Sequence, residues 1–184
     1  MNKKRNVLKL LVLLVLVLLF FSTEIMAQGL KASGKKIVDD KGNEVILRGM
    51  GLGGWMLQEP YMLDMSGFAG TQWQIKEKIE TLIGTINTEA FYDKWLANHC
   101  TRRDIDSLAS WGFNSVRLPM HYNLYTLPVE NEPVDGENTW LNRGFAMTDS
   151  LISWCKANHM YVILDLHAAP GGQGTDAAIS DANP

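Results

Sequence analysis

An α/β fold built from parallel βαβ units is what this sequence predicts, on three observations. Apolar, β-rich runs at residues 47–52, 114–118 and 161–166 alternate with helical stretches. The last run, Tyr161-Val162-Ile163-Leu164, shows no polar alternation, as suits a strand buried on both faces of a parallel sheet covered by helices. It then breaks off at Asp165, His167 and Pro170-Gly171-Gly172, where a Pro/Gly-punctuated loop must begin. Strand and helix in alternation call for right-handed crossovers. In such sheets active sites sit at the C-terminal ends of the strands, and Asp165 and His167 fall there.

The first 27 residues stand apart from this pattern. Met1 to Arg5 holds Lys3, Lys4 and Arg5, Val7 to Phe21 is apolar except for Lys9, and Ala27 offers a small residue for cleavage. This three-part pattern predicts a secretory signal peptide over 1–27, leaving a mature domain over 28–184 that is secreted or periplasmic. Its apolar part is short for a membrane span, and no stable membrane anchor is expected after removal. The whole chain is 46% hydrophobic and 20% charged with a net charge of −3, the profile of a globular domain once that segment is set aside. A mildly acidic chain without basic clusters argues against nucleic acid as a partner. In an oxidising compartment Cys100 and Cys155 could form one disulfide or remain two buried thiols, and the sequence leaves both open.

In chain order, Lys36 to Asp39 and Glu44 to Leu47 flank the turn-rich Asp40-Lys41-Gly42-Asn43, which predicts a β-hairpin ahead of the first βα unit. Arg48 to Trp55 follows, with four glycines in six residues, a composition that suits either close passage of two backbones or a chain that bends under a ligand. Glu59 is a lone carboxylate among Trp55, Met56, Leu57, Pro60 and Tyr61. A helix is expected from Asn87 or Thr88, with Phe91, Trp95 and His99 on one face, and a second from Thr101, where Asp104 completes a capping box and Gly112 supplies the stop. A short strand closed by Pro119 leads to Arg117, His121 and Tyr122 as polar exits. Leu141, Phe145, Thr148, Ile152 and Cys155 mark the stripe of the helix before Tyr161.

Three blocks carry a family resemblance: Leu47-Arg48-Gly49-Met50-Gly51-Leu52-Gly53-Gly54-Trp55 with Glu59-Pro60, then Trp111 to Pro119, then Leu164 to Gln173. Each ends a predicted strand, and together they resemble successive blocks of glycoside hydrolase family 5, in the branch of exo-β-1,3-glucanases and β-glucosidases. The resemblance covers roughly Ile37 to Asp181 and implies the N-terminal part of a (β/α)₈ TIM barrel, with about three βα units present. It implies a retaining β-glycosidase or β-glucanase acting on β-glucan polysaccharides or oligosaccharides, with no cofactor and no metal. A full barrel needs ~250 residues. The family's acid/base glutamate ends strand four in an Asn-Glu-Pro motif and its nucleophile ends strand seven, so both are expected beyond Pro184 and the chain reads as a fragment lacking them. Asn131-Glu132-Pro133 spells the motif in the wrong place, a polar loop that no β-rich run leads into, and Glu132 is expected to be solvated.

Carried over residue by residue, the resemblance makes Arg117 the arginine that holds the nucleophilic carboxylate ionised. His167 becomes the histidine that reaches sugar hydroxyls. Trp55 and Glu59 match positions shaping the sugar pocket, although Trp55 could equally be core. Asp165 and His121 complete the expected substrate-binding set, while His121-Tyr122 departs from the aromatic pattern usual in the family. Two other readings use the same residues. A non-catalytic carbohydrate-binding protein would need only Trp55, Glu59 and His167, and a metal-dependent barrel hydrolase would use Asp165, His167 and His121.

Overall fold

The computed structural model describes residues 29–128, 131 and 139–170. The predicted signal peptide, Glu132 and the Gly171-Gly172-Gln173 turn lie outside them. The chain falls into two units, one up to Ile46 and one from Leu47 onward.

In the first unit a hairpin forms, but not between the expected arms. Strand β1 (Lys31–Ser33) pairs antiparallel with β2 (Lys36–Val38). The turn after β2 is present: Asp39 Oδ1 accepts from the backbone N–H groups of Lys41 and Asn43, and Gly42 N–H donates to Asp39 O. The expected second arm contributes no ladder but the single bridge Val38–Glu44, a hydrogen bond from Val45 N–H to Ile37 O and an ion pair of Glu44 with Lys36 at 2.6 Å. Asp39 therefore closes a local loop through its side chain rather than a two-strand ladder.

The second unit is the α/β part. Strands β3 (Gly49–Gly51), β4 (Ser115–His121) and β5 (Tyr161–Ala168) form one parallel sheet in the order β3-β4-β5. Between β3 and β4 lie three helices, α1 (Gln72–Ile83), α2 (Thr85–Asn98) and α3 (Arg102–Ser110); α4 (Asn142–Ala157) connects β4 to β5. The core joins Trp55 and Met56, Leu96 and Cys100, Ile105 and Leu108, Val116 and Leu118, and Leu151, Cys155 and Met160.

Several expectations need correction. Helix α1 was not anticipated, although its start is written in the sequence: Thr71 Oγ1 accepts from Gln74 N–H while Gln74 Oε1 accepts from Gly70 N–H. Helix α2 begins before Asn87, because Gly84, at φ +78, ends one helix and starts the next. Asn87 and Thr88 instead donate back to the carbonyls of Ile83 and Gly84, as polar side chains inside a helix do. The Thr101–Asp104 capping box forms as read. On α4 the buried stripe is Gly144, Thr148, Leu151 and Cys155, leaving Phe145 and Ile152 largely exposed. Strand β4 does not close at Pro119. The ring has no N–H for the ladder, and at that point the register slips, Pro119 facing Asp165 but His121 facing Ala168. Strand β5 runs on to Ala168, and it is not buried on both faces: Ile163, Leu164 and Leu166 are all exposed, since among the described residues β5 pairs on one side only.

Cys100 and Cys155 are both buried free thiols. Burial, aided by Asp104 and Cys155, pushes Cys100 up to about 12 from 9.0, and burial pushes Cys155 up to about 11. Their stabilising contribution is therefore complete below pH 9.0 and is lost as the pH climbs through the folded-state values, because the unfolded chain gives up these protons first. The denaturant midpoint should fall between pH ~8 and ~10 by more than in a Cys100→Ala, Cys155→Ala protein, and alkylation at pH ~8 should require unfolding.

Of the two readings of the glycine-rich stretch, close approach holds at Gly49 in strand β3, while Gly51 faces open space. A Cβ on Gly49 would stand 2.7 Å from Ser115 Oγ, a fully buried hydroxyl without a hydrogen-bond partner. Gly49→Ala should cost about 1–3 kcal/mol of stability in urea melts. Ser115→Ala alone should be neutral or stabilising, and it should rescue Gly49→Ala in the double mutant. Additive losses would show that the clash lies elsewhere.

Candidate active site

The parallel register sets the site. In the β4–β5 ladder Arg117 faces Ile163 and Pro119 faces Asp165, so Arg117, Pro119, Ile163 and Asp165 project from one face of the sheet. Arg117 sits two residues before the slip and Asp165 opposite it, which lets the long guanidinium reach forward across the ladder to the carboxylate. Arg117 Nη2 makes an ion pair with Asp165 Oδ2 and lies 3.0 Å from His167 Nδ1, which itself lies 3.2 Å from the same Asp165 oxygen. Three side chains thus meet around one carboxylate oxygen.

That oxygen is shielded from solvent, and neither neighbouring N–H is aligned on it as a hydrogen bond. The contact with Arg117 is an ion pair without a directional bond. A guanidinium only donates, so in accepting from Arg117 the His167 ring must leave Nδ1 bare and carry its proton on Nε2. A proton on Nδ1 would instead be shared with Asp165 and would turn the ring away from the role of acceptor. The two arrangements compete for one nitrogen, so the charge on Arg117 and Asp165 fixes which face of the imidazole can receive a hydroxyl.

The other expected residues are placed as follows. Trp55 is core: it is 2% exposed and its indole N–H donates to Leu96 O at 2.8 Å. Glu59 is half-buried at the start of the 3₁₀ turn Pro60–Leu63, with extended backbone, and caps nothing with its side chain. His121 is buried, accepts from Asn123 N–H through Nδ1 at 3.3 Å, and stacks on Tyr122. Of the expected residues, then, the structure brings together Arg117, Asp165 and His167. Among the described residues no group of three or more His, Cys, Asp or Glu side chains is arranged to hold a metal ion. Sequence reasoning missed the direct pairing of Arg117 with Asp165. The signal available was the two-residue spacing of Asp165 and His167 beside an arginine on the preceding strand.

Known proteins are similar to this chain. The family model Cellulase (glycosyl hydrolase family 5) matches residues 74–183. A β-xylosidase of Phanerodontia chrysosporium is 41% identical over 147 residues, covering 80% of this chain and 29% of that protein. A probable glucan 1,3-β-glucosidase A of Aspergillus clavatus is 32% identical over 134 residues, covering 70% of this chain and 29% of that protein. The chain therefore spans under a third of the length of these two relatives. The crystal structure of rutinosidase from Aspergillus niger shares the fold at a TM-score of 0.53 over 73% of this chain and 37% of that one, with 24% identity. With more than half of its length matched by the family model, the chain belongs to glycosyl hydrolase family 5.

Proposed function

We propose that the protein is a retaining β-glycosidase, acting on β-glucan-type polysaccharides or oligosaccharides, and that this chain supplies the sugar-holding and carboxylate-tuning part of an eight-stranded barrel. The observation that carries the reading is the meeting of Arg117, Asp165 and His167 on adjacent parallel strands, toward the C-terminal end of the sheet where barrel enzymes work. Family membership and the glycosidase names of the relatives support it.

The division of labour follows from chemistry. Retaining hydrolysis needs one carboxylate to attack the anomeric carbon and one carboxyl group to protonate the leaving oxygen, ~5 Å apart. Arginine and histidine can tune and bind, but they do not replace that carboxyl pair. Asp165 is engaged by Arg117, which leaves it a positioning residue. In the reading proposed here, the glutamates of strands four and seven follow Pro184. Arg117, anchored by Asp165, directs its remaining N–H groups at the nucleophile and keeps it charged beside the second carboxyl group. His167 and Glu59 take sugar hydroxyls. The amino-terminal charged and apolar segment directs export, placing the enzyme with extracellular glycan.

The test is hydrolysis of an aryl β-glucoside and an aryl β-xyloside by this chain continued through the later strands of the barrel. Arg117→Ala should lower kcat ~100-fold or more while leaving the fold intact by circular dichroism. Asp165→Asn should lower it less and in the same direction. Glu132→Ala should leave it within about twofold, the scatter of surface substitutions. Full activity in Arg117→Ala together with loss in Glu132→Ala would overturn both the role of Arg117 and the solvated place of Glu132.

A further inference from the structure

A cavity of about 280 Å³ opens between the segment Trp55 to Gln58, helices α1 and α2, and the start of α4. None of Arg117, Asp165, His167 or Glu59 belongs to its wall. Gln58, 2% exposed, lines it. Its backbone N–H donates to Gln72 Oε1 at 2.7 Å, and its Oε1 accepts from Tyr92 Oη at 2.9 Å, but Nε2 has no partner. A buried amide N–H₂ left unpaired is costly. Exchanging the amide's oxygen and nitrogen does not cure this, since Tyr92 can bond either atom and the other is then left alone. A hydroxyl group, which both donates and accepts, completes either arrangement.

The surroundings narrow the ligand further. The two cations of the wall are already neutralised, Lys76 by Glu89 at 2.7 Å and Arg143 by Asp93 at 2.7 Å, so the cavity offers an anion no free charge. Burial pushes Tyr92 up to about 12, which keeps its hydroxyl protonated. Met56, Leu96, Leu124 and Leu141 supply apolar wall. The wall is also preformed: at Gly144 a Cβ would come within 2.6 Å of Leu124 O, so the start of α4 rests directly on the turn that carries Leu124. One water could satisfy one amide atom, but it would leave most of this volume unfilled. A neutral edge of amide and phenol facing an apolar wall matches a molecule with a C–H face and a hydroxyl rim. We propose that this cavity binds one unit of a neutral, hydroxyl-rich ligand, a sugar ring or similar polyol, independently of the Arg117, Asp165 and His167 cluster.

The experiment is a titration of the full ¹⁵N-labelled chain with glucose, followed at the Gln58 side-chain amide and the Trp55 indole N–H. Saturable shifts at both, with a midpoint in the range of ~1–10 mM, are expected, as are a ~10-fold or greater weakening in Gln58→Leu and no weakening in Arg117→Ala. If Gln58→Leu does not fold, Leu141→Trp, which fills the cavity from its wall, should abolish the same shifts. The proposal is overturned if glucose leaves both resonances unmoved, if the shifts survive these wall variants, if they vanish in Arg117→Ala, or if sodium acetate moves them more than glucose does.

Discussion

The parallel pairing of β4 with β3 on one side and β5 on the other fixes nearly everything of chemical interest in this chain, because it sets how far along the sheet each side chain emerges. On the β3 side the constraint is steric. Gly49 opposite Ser115 leaves no room for a side chain, and the reward is that the strand can lie close enough for Leu52 N–H to reach Arg117 O at 2.9 Å. On the β5 side the constraint is a missing donor. Pro119 cannot complete the ladder, the register slips beyond it, and Asp165 is presented just where the Arg117 guanidinium arrives. The neighbours of one strand thus decide both its stability and the composition of its site.

The cluster that results is better understood as a device for holding charge than as a source of stability. Both partners of the Arg117–Asp165 pair are partly exposed, Arg117 by 43% and Asp165 by 27%, so solvent screens the attraction and little folding energy should come from it. What it fixes is direction. An arginine tethered by one Nη still presents other N–H groups, and a histidine whose Nδ1 is occupied has only Nε2 to offer. In the proposed reading, where the site recognises hydroxyls and holds a further carboxylate ionised, such pre-set directions lower the cost of binding.

How much of this was readable in the sequence depends on whether the determining interaction is local. The Thr101–Asp104 capping box, the close approach of the glycine strand and the strand-helix alternation are short-range patterns, and all are present. Thr71 and Gln74 made an equally local box that went unread because Ile75 is the only buried residue of the helix it starts, so no apolar stripe drew attention to it. Errors of the other kind came from tertiary context. The stripe on α4 is rotated from its expected line because Gly144, which has no side chain to mark it as part of an apolar stripe, is the residue pressed against Leu124. The aliphatic run of β5 predicted burial on both faces, yet burial depends on neighbours that composition cannot count. Trp55 is ambiguous for the same reason, and its burial together with the 2.8 Å bond to Leu96 O assigns it to the core.

The segment from Trp55 to Glu59 links the two halves of this picture. Trp55 bonds into the core, Met56 Sδ accepts from Tyr125 Oη at 3.2 Å, Gln58 is tied by Gln72 and Tyr92, and Glu59 follows at once with extended backbone. In extended chain successive side chains leave on opposite sides, so a segment that turns Gln58 into the cavity turns Glu59 away from it. The ties on Gln58 therefore also limit where the carboxylate proposed to hold a sugar can go. An amide buried with one atom unpaired beside such a carboxylate is an expensive arrangement if its sole task is packing, since leucine would fill the space without an orphaned donor. Gln58 makes physical sense where its position is fixed by two hydrogen bonds and its third is reserved for something that comes and goes.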